Sequence, residues 1–265
     1  MSFERLEPGT AEWTAYFANH QHRYAFAADC LTALPPSSRV LDAATGVGYG
    51  AAHLAASRGL RVVAVDRDPG ALSLARTHFS QPLVTFEQDD CSTLSGGAAK
   101  GAPYAAAVSF ETIEHLFDPG PFLRRVAELV VPGGTLIAST PNATVTLAER
   151  GSWNHHYKEY TAREFEVLLE SAGFQSVRLF GQRLSPVGTL RRDMRAEINR
   201  LRANPATRFG FWLQRRLRGL ALEPALPEQL SDFEIEALAS AAECERQGNV
   251  GPFVLIAVAT RPESS

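Results

Sequence analysis

The chain has 265 residues, of which 45% are hydrophobic and 21% are charged. This composition is typical of a folded globular protein and excludes a disordered or fibrous chain. The formal net charge of −3 disfavours a surface built as a whole to bind nucleic acid. Three widely spaced cysteines disfavour a disulfide framework, and no apolar run approaches a signal peptide or the roughly 20 residues of a membrane span. We therefore expect a cytoplasmic protein with no membrane span.

From residue 39 onward, short apolar runs alternate with helical patterns, which is typical of a parallel sheet built from βαβ units. The predicted strands are residues 40–42, 61–66, 83–88, 104–110, 135–139, 174–180 and 253–259. The predicted helices between them are residues 51–57, 69–79, 118–131 and 161–173. The last of these helices begins at the capping box Thr161-x-x-Glu164 and ends at Gly173. The chain is therefore predicted to be an α/β protein.

Four parts are predicted along the chain. They are an N-terminal helical cover (1–38), an α/β core (39–182), a helical insertion (183–250) and the last strand with a tail (251–265). Within the insertion, helices are predicted at residues 190–203 and from the capping box Ser231-x-x-Glu234 to about Arg246. Pairs that end in proline at 204–205 and 223–224 interrupt the helical pattern.

The loop after the first strand carries the most information. Residues 40–50 read V-L-D-A-A-T-G-V-G-Y-G, and such small residues let a ligand approach the backbone. A dinucleotide fingerprint would read G-x-G-x-x-G and would seat a pyrophosphate on a helix N-terminus. The spacing here is G-x-G-x-G, and the carboxylate of Asp42 would repel a pyrophosphate. The loop therefore favours a cationic ligand over a nicotinamide dinucleotide, and a nicotinamide oxidoreductase is a disfavoured alternative.

This loop resembles motif I of the S-adenosylmethionine (SAM)-dependent methyltransferases, whose usual form is D-x-G-x-G-x-G, with Ala44 at the first glycine position. Further segments resemble that family in the same order: the acid that ends the second strand, the D-C pair after the third, S-F-E after the fourth and P-G-G before the fifth. The resemblance implies a Rossmann-like, seven-stranded, mostly parallel sheet with helices on both faces, an antiparallel last strand and a helical cap. It also implies SAM as the cofactor. The cofactor contacts that it implies are Asp42, Ala44, Gly46, Gly48, Asp66, Arg67, Asp90, Cys91 and Phe110.

A helix predicted before the first strand adds two candidates. In many relatives such a helix closes over SAM, and a basic residue on it meets the methionine carboxylate. Arg23 is our candidate for that contact, because a guanidinium pairs with a carboxylate through two hydrogen bonds. Tyr16 lies seven residues earlier on the same face. A solvated helix face is the alternative interpretation for both residues.

Acids and histidines follow the fourth and fifth strands, as E-T-I-E-H at 111–115 and H-H-Y-K-E at 155–159. Together they resemble a methyltransferase subset that includes ubiquinone-pathway O-methyltransferases, bacterial sugar and natural-product methyltransferases, and small-RNA 2′-O-methyltransferases. Methyl transfer to a hydroxyl requires alignment of the nucleophile and removal of its proton. His115 is the predicted general base, oriented by Glu111 or Glu114, and His156 is the second candidate.

Other roles for these residues stay open. The RNA-methylating relatives hold a divalent metal with an E-x-x-E-H segment and a later histidine, so a bound metal is an alternative here. Glu114 and His115 could instead brace the turn after the fourth strand, and His155 and His156 could hydrogen-bond to loop carbonyls.

Arginine is concentrated in the insertion: the sequence has ten arginines from Arg183 to Arg218, and the acids in the same range are Asp193 and Glu197. One interpretation is a solvated surface. The other is a lid over an anionic acceptor such as a nucleotide sugar, a phosphorylated lipid, a carrier-bound intermediate or an RNA end, because arginine binds phosphate well.

The sequence as a whole predicts a SAM-dependent methyltransferase that acts on a hydroxyl of a small molecule, a sugar or a natural-product scaffold. The acceptor could be anionic or carrier-bound, and nucleic acid is a disfavoured partner. The alternatives are a metal-dependent RNA 2′-O-methyltransferase and a SAM-binding scaffold protein without catalysis. The oligomeric state is left open.

Overall fold

The computed structural model describes residues 8–150, 156–203 and 228–263. The α-helices in these ranges are α1 (Ala11–Cys30), α2 (Tyr49–Arg58), α3 (Pro69–His78), α4 (Gly97–Gly101), α5 (Gly120–Leu129), α6 (Ala143–Arg150), α7 (Ala162–Ser171), α8 (Pro186–Ala203) and α9 (Ala241–Arg246). The strands are β1 (Arg39–Ala43), β2 (Arg61–Asp66), β3 (Val84–Gln88), β4 (Tyr104–Phe110), β5 (Val130–Pro141), β6 (Gln175–Leu184), β7 (Phe233–Ala237) and β8 (Val254–Thr260).

All eight strands of the described residues form one sheet, in the order β3-β2-β1-β4-β5-β8-β6-β7. Strands β1 to β5 pair in parallel, whereas β8 is antiparallel to both β5 and β6. This arrangement confirms the predicted mostly parallel sheet with an antiparallel last strand. Because β1 lies between β2 and β4, the strand order reverses there, and in open α/β sheets ligands bind beyond the carboxyl ends of the strands at such a point.

Helices cover both faces of the sheet, because successive side chains of each strand point to opposite faces and are apolar on both. Leu41 packs in one apolar cluster with Phe122 of α5 and Phe165 of α7. Its neighbour Val40 packs in a second cluster with Leu54 of α2. All of these side chains are fully buried, and burial of one such side chain stabilises the fold by about 1.5–3 kcal/mol.

The predicted helix ends are confirmed where local chemistry defines them. Thr161 and Glu164 form both hydrogen bonds of a capping box at the start of α7. Gly59 ends α2 with a φ of 65°, a left-handed conformation that glycine adopts without strain. Helices α4 and α6, which are short, were not predicted.

One prediction within the insertion is wrong. The capping-box pattern at Ser231 predicts a helix from there to Arg246, but the structure has a 3-10 turn (Leu230–Asp232), then β7 and only then α9. The sequence F-E-I-E-A of β7 alternates apolar and acidic residues, which suits a strand at the sheet edge. The hydroxyl of Ser240 caps α9 instead by accepting from the Glu243 amide. The sheet therefore has one strand more than the seven predicted.

The chain divides into two compact units, Met1–His22 with Leu184–Glu234, and Arg23–Arg183 with Ile235–Ser265. The first unit contains α8, whose start is held by a hydrogen bond of 2.9 Å from the Ser185 amide to the Asp232 carbonyl. The second unit contains most of the sheet and the candidate site. The boundaries predicted at residues 38, 182 and 250 stay predictions. None of the helices in the described residues combines the length and the apolar character that crossing a membrane requires.

Candidate active site

Asp42 anchors the loop after β1 from inside the protein. Its carboxylate is fully buried and accepts hydrogen bonds from the Tyr24 hydroxyl at 3.0 Å and from the Thr45 hydroxyl at 2.6 Å. Burial raises the pKa of Asp42 to about 6, although both hydrogen bonds act in the opposite direction. The structure therefore gives this acid a structural task in the loop, whereas a contact of Asp42 with the cofactor stays a prediction.

Three positions of this loop have left-handed backbone conformations, with φ of 64° at Ala44, 58° at Gly46 and 85° at Gly48. A Cβ atom on Gly48 would lie 2.5 Å from the Phe86 ring. A Cβ atom on Gly46 would meet no atom within 4 Å, so the loop leaves open space beside that backbone. Such space fits the adenosyl group that the sequence predicts there.

Asp66 connects this loop to the end of β2. One carboxylate oxygen accepts from the Gly46 amide at 2.8 Å and the other accepts from the Asp68 amide at 2.9 Å. Each oxygen keeps a further lone pair, which is what two neighbouring ribose hydroxyls require. Arg67 is exposed beside it.

The segment after β3 is organised by an acid that the sequence analysis missed. Asp89 is buried, and its carboxylate accepts from the amides of Asp90, Gly96 and Ala98 at 2.9–3.0 Å. Asp90 itself is exposed, and a hydrogen bond from the Ser92 amide lowers its pKa. Burial raises the pKa of the neighbouring Cys91 to about 12. Nothing in the doublet D-D at 89–90 distinguishes the buried acid from the exposed one.

Arg23 lies inside the protein with 1% of its surface exposed, and its Nη1 atom donates to the Gln182 side chain at 2.8 Å. The positive charge of Arg23 opposes the rise in the pKa of Glu114, so Arg23 is close enough to Glu114 to interact with it electrostatically. A solvated helix face is therefore wrong for Arg23. The next residue, Tyr24, packs edge-to-face on Phe110 at 4.9 Å between ring centroids. The side chain of Tyr16 lies outside the described residues.

Two acids, Glu111 and Glu114, lie in the turn after β4, and each accepts a hydrogen bond from a hydroxyl at the end of β5. The Ser139 hydroxyl donates to Glu111 at 2.7 Å, and the Thr140 hydroxyl donates to Oε2 of Glu114 at 3.0 Å. Glu114 is 1% exposed, and its Oε1 atom has no hydrogen-bond partner among the described residues. Burial, followed by the charge of Glu111, raises the pKa of Glu114 well above its usual range. A cation beside Glu114 would oppose this rise, as the charge of Arg23 does.

The two predicted histidines lie together beside these acids. The rings of His115 and His156 meet edge-to-face, with centroids 4.8 Å apart. Nε2 of His115 is 4.0 Å from Oε1 of Glu114, beyond hydrogen-bond distance. His156 is held more closely, because its Nδ1 atom lies 2.8 Å from Oε1 of Glu159. The other oxygen of Glu159 accepts from the Thr146 hydroxyl.

Glu159 is the residue here that the sequence-predicted site omits. The two residues are three positions apart in the sequence H-x-x-E, but they lie in a loop, where this spacing does not by itself imply a contact. His155 lies outside the described residues.

Glu114, His115 and His156 could together hold a metal ion. One ligand atom from each lies within 4.8 Å of the others. Glu111, the fourth residue that the resemblance implies, is not in this group, and its carboxylate accepts a hydrogen bond from Ser139. One carboxylate and two imidazoles suit a divalent transition metal, and the Oε1 atom of Glu114 would gain the partner that it lacks.

The arginines described in the insertion have acidic neighbours within their own unit. Nε of Arg191 lies 3.1 Å from the buried Asp232, and Arg195 lies 3.7 Å from Glu228. These contacts favour a structural task for both. The side chain of Arg202 and the residues Arg215, Arg216 and Arg218 lie outside the described residues. Whether the insertion forms a lid stays a prediction.

The family described as "Methyltransferase domain" matches residues 13–179, which is more than half of the chain. The chain therefore belongs to the SAM-dependent methyltransferases. It is 32% identical over 174 residues to a "Probable S-adenosylmethionine-dependent methyltransferase" of Mycolicibacterium smegmatis, a match that covers 65% of this chain and 64% of the relative. It is also 32% identical over 164 residues to the ubiquinone biosynthesis O-methyltransferase of Azorhizobium caulinodans, covering 56% of this chain and 63% of that protein.

The chain thus spans just under two thirds of the length of these curated relatives. Among solved structures, it is similar to a SAM-dependent methyltransferase of Thermotoga maritima described as a possible histamine N-methyltransferase. That match has a TM-score of 0.55 and 13% identity and covers 93% of this chain and 92% of the other. At this identity the likeness confirms the Rossmann-like methyltransferase fold alone.

Proposed function

We propose that this protein is a cytoplasmic enzyme that transfers the methyl group of SAM to a hydroxyl of a small-molecule acceptor. The observation that carries the proposal is the pair His115 and His156 beside two acids at the carboxyl ends of β4 and β5. Groups that accept a proton thus lie at the sheet edge where the cofactor loop also ends. SAM, when bound, supplies the methyl group on a positively charged sulfur.

The cofactor-binding roles follow from the geometry of the loops. Asp66 accepts hydrogen bonds from the ribose hydroxyls through the lone pairs that Gly46 and Asp68 leave. Arg23 meets the methionine carboxylate, because it is a buried cation close to the sheet edge. The exposed Asp90 and the backbone at Cys91 contact the adenine, and Phe110 packs beside it.

Removal of the acceptor proton falls to the imidazole pair. His115 is the general base, and His156 has the better-defined orientation. The Glu159 carboxylate accepts a hydrogen bond from Nδ1 of His156. The proton of neutral His156 therefore resides on Nδ1, and its lone pair resides on Nε2. Glu159 is thus a positioning residue, and His156 is the alternative base or the partner that holds the acceptor hydroxyl.

A specific observation favours a second candidate, metal-dependent 2′-O-methylation of RNA. The cluster of Glu114, His115 and His156 would hold a divalent cation, which lowers the pKa of a coordinated hydroxyl when it is bound. The two candidates share the residues and differ in the acceptor.

Incubation of the purified protein with labelled SAM and small-molecule extract fractions tests the proposal, with identification of the methylated product. We expect labelled small-molecule product and S-adenosylhomocysteine, and we expect that EDTA leaves the rate unchanged. Labelled RNA only, with loss of the rate in EDTA and its return with Mn²⁺ or Mg²⁺, would replace the small-molecule proposal by the RNA proposal. Tight SAM binding without product in any fraction would support the non-catalytic scaffold.

A further inference from the structure

Two large aromatic side chains stand exposed beside the histidine pair. Phe117 is 87% exposed and Tyr157 is 69% exposed. Their rings meet edge-to-face, with centroids 5.8 Å apart and planes at 85°. Single exposed apolar residues are ordinary, but a contacting pair of aromatic rings next to reactive side chains presents a patch that a ligand can cover. We call Phe117 and Tyr157 the ring platform.

The ring platform is built on the same two loops as the histidines. Phe117 follows His115 by two residues, and Tyr157 follows His156 directly. A hydrogen bond of 2.8 Å from the Tyr157 amide to the Glu114 carbonyl joins the loops. The imidazole pair and the aromatic pair therefore each join the same two loops, at positions that are neighbours in the sequence.

The charges around the platform favour an uncharged ligand. The first loop (111–118) carries Glu111, Glu114 and Asp118. The one lysine of the second loop (156–161), Lys158, is paired with Glu164 at 2.7 Å. In these two loops, as far as the structure describes them, no arginine is present to bind a phosphate. Of these three acids only Asp118 is exposed, and a nucleic-acid backbone would be repelled by it, whereas a neutral ring would meet apolar faces.

Resting on the function proposed above, we propose that the acceptor carries a flat, uncharged aromatic ring with a hydroxyl on it, and that Phe117 and Tyr157 determine this specificity. The platform holds the ring by edge-to-face and stacking contacts. The hydroxyl on the ring then faces the imidazole pair, whose orientation Glu159 fixes.

The inference is tested by binding of small probes to the protein saturated with S-adenosylhomocysteine, which fills the cofactor site. Phenol, cyclohexanol and uridine are titrated, and the resonances of labelled histidine and tyrosine side chains are followed by NMR. Phe117→Ala, Tyr157→Ala and the double variant remove the platform, and Phe117→Leu keeps apolar bulk without the ring. Val250→Ala is the matched control, because Val250 is 78% exposed and lies outside both loops.

We expect phenol to shift the resonances of His115, His156 and Tyr157 and to bind more tightly than cyclohexanol. The double variant should bind phenol about tenfold more weakly, with Phe117→Leu intermediate and Val250→Ala unchanged. Equal phenol affinity in wild type and double variant, or shifts confined to other residues, would overturn the inference. Tighter binding of uridine than of phenol would assign the platform to a nucleobase instead.

The two levels of the proposal fail separately. Calorimetry with S-adenosylhomocysteine on the same samples reports on the cofactor site, and the extract assay reports on methyl transfer. A platform that binds phenol in a protein without transferase activity would sink the proposed function and leave the ring-binding site. Methyl transfer that is unchanged in the double variant would leave the proposed function standing and would overturn the role of the ring platform.

Discussion

Nδ1 of His156 lies 2.8 Å from Oε1 of Glu159, three residues later in the chain. Arg163 and Glu166 have the same spacing and a similar distance of 2.7 Å, but the Arg163 side chain is mostly exposed. Exposed pairs of this kind contribute little to stability because water and salt screen them. The side chains of His156 and Glu159 are 11% and 1% exposed, so their contact persists as a fixed element of the site.

Replacement of Glu159 tests whether it positions His156. Glu159→Ala should lower kcat about 10–100-fold, the usual effect of losing the partner that orients an active-site histidine. Glu159→Gln should retain more activity, because its amide oxygen still accepts from Nδ1. ¹⁵N spectra should show the Nδ1–H form of His156 in the wild type and a tautomer mixture in Glu159→Ala. Glu166→Gln is the control, and an unchanged tautomer in Glu159→Ala contradicts the role.

His115→Ala tests the general base. The variant should lower kcat by about 10²–10⁴ while its affinity for S-adenosylhomocysteine stays within twofold, because His115 makes no proposed cofactor contact. Stopped assays at saturating SAM and calorimetry give the two quantities. A variant that keeps most of its kcat would show that alignment alone drives transfer, as expected for an amine acceptor.

Asp66→Ala should weaken binding of SAM and of S-adenosylhomocysteine at least tenfold, about 1.4 kcal/mol, because two ribose hydroxyls lose their acceptor. Asp66 also holds the amides of Gly46 and Asp68, so the variant must be shown to fold, by its thermal transition. Asp68→Ala, which removes the side chain that caps α3 and leaves the Asp66 carboxylate in place, is the matched control. Unchanged affinity in a folded Asp66→Ala protein removes this residue from the cofactor site.

Ala44→Gly should stabilise the protein by about 1 kcal/mol. Ala44 has a φ of 64°, and a left-handed conformation costs a residue with a Cβ about 1–2 kcal/mol that glycine avoids. The greater freedom of glycine in the unfolded chain offsets part of this gain. Urea denaturation of the two proteins measures the difference. Ala52→Gly, within α2, is the contrasting change and should destabilise by about 1 kcal/mol.

Asp42 predicts a pH dependence of stability. Its pKa rises from 3.8 in the unfolded chain to about 6 in the folded protein, so the folded protein binds this proton more tightly. The stabilising contribution of Asp42 is therefore complete below about pH 4 and is lost as the pH rises through about 6. Relative to wild type, Asp42→Asn should gain up to about 3 kcal/mol between pH 4 and 7. Urea titrations at four pH values test this, and a constant difference between the proteins contradicts it.

The sequence predicts β2 and β4 well because each is a mostly apolar run that follows a glycine or a proline, Gly59 and Pro103. The range of β2, residues 61–66, matches the prediction, as does that of β4, residues 104–110. The strand β7 was missed because the S-x-x-E spacing at Ser231 suits a capping box equally well. Only an available sheet edge, which is a tertiary feature, decides between the two patterns.

The candidate site was predicted where it follows strand ends and was incomplete where distant segments meet. Glu111 and His115 follow β4 directly, so their place at the sheet edge could be inferred. The partners Ser139 and Thr140 sit at the end of β5, and their pairing with Glu111 and Glu114 depends on the register of β4 against β5. No local pattern shows that Glu159, and not Glu111 or Glu114, holds a histidine.

The position of β8 affects how the protein is made. Strands β6 and β7 connect to β5 only through β8, which the ribosome delivers after all of them. During synthesis, the five parallel strands can assemble while β6 waits without its neighbour on the side of β5. A strand that lacks its neighbour in this way leaves backbone groups unpaired, and these can pair with other chains until residues 254–260 emerge.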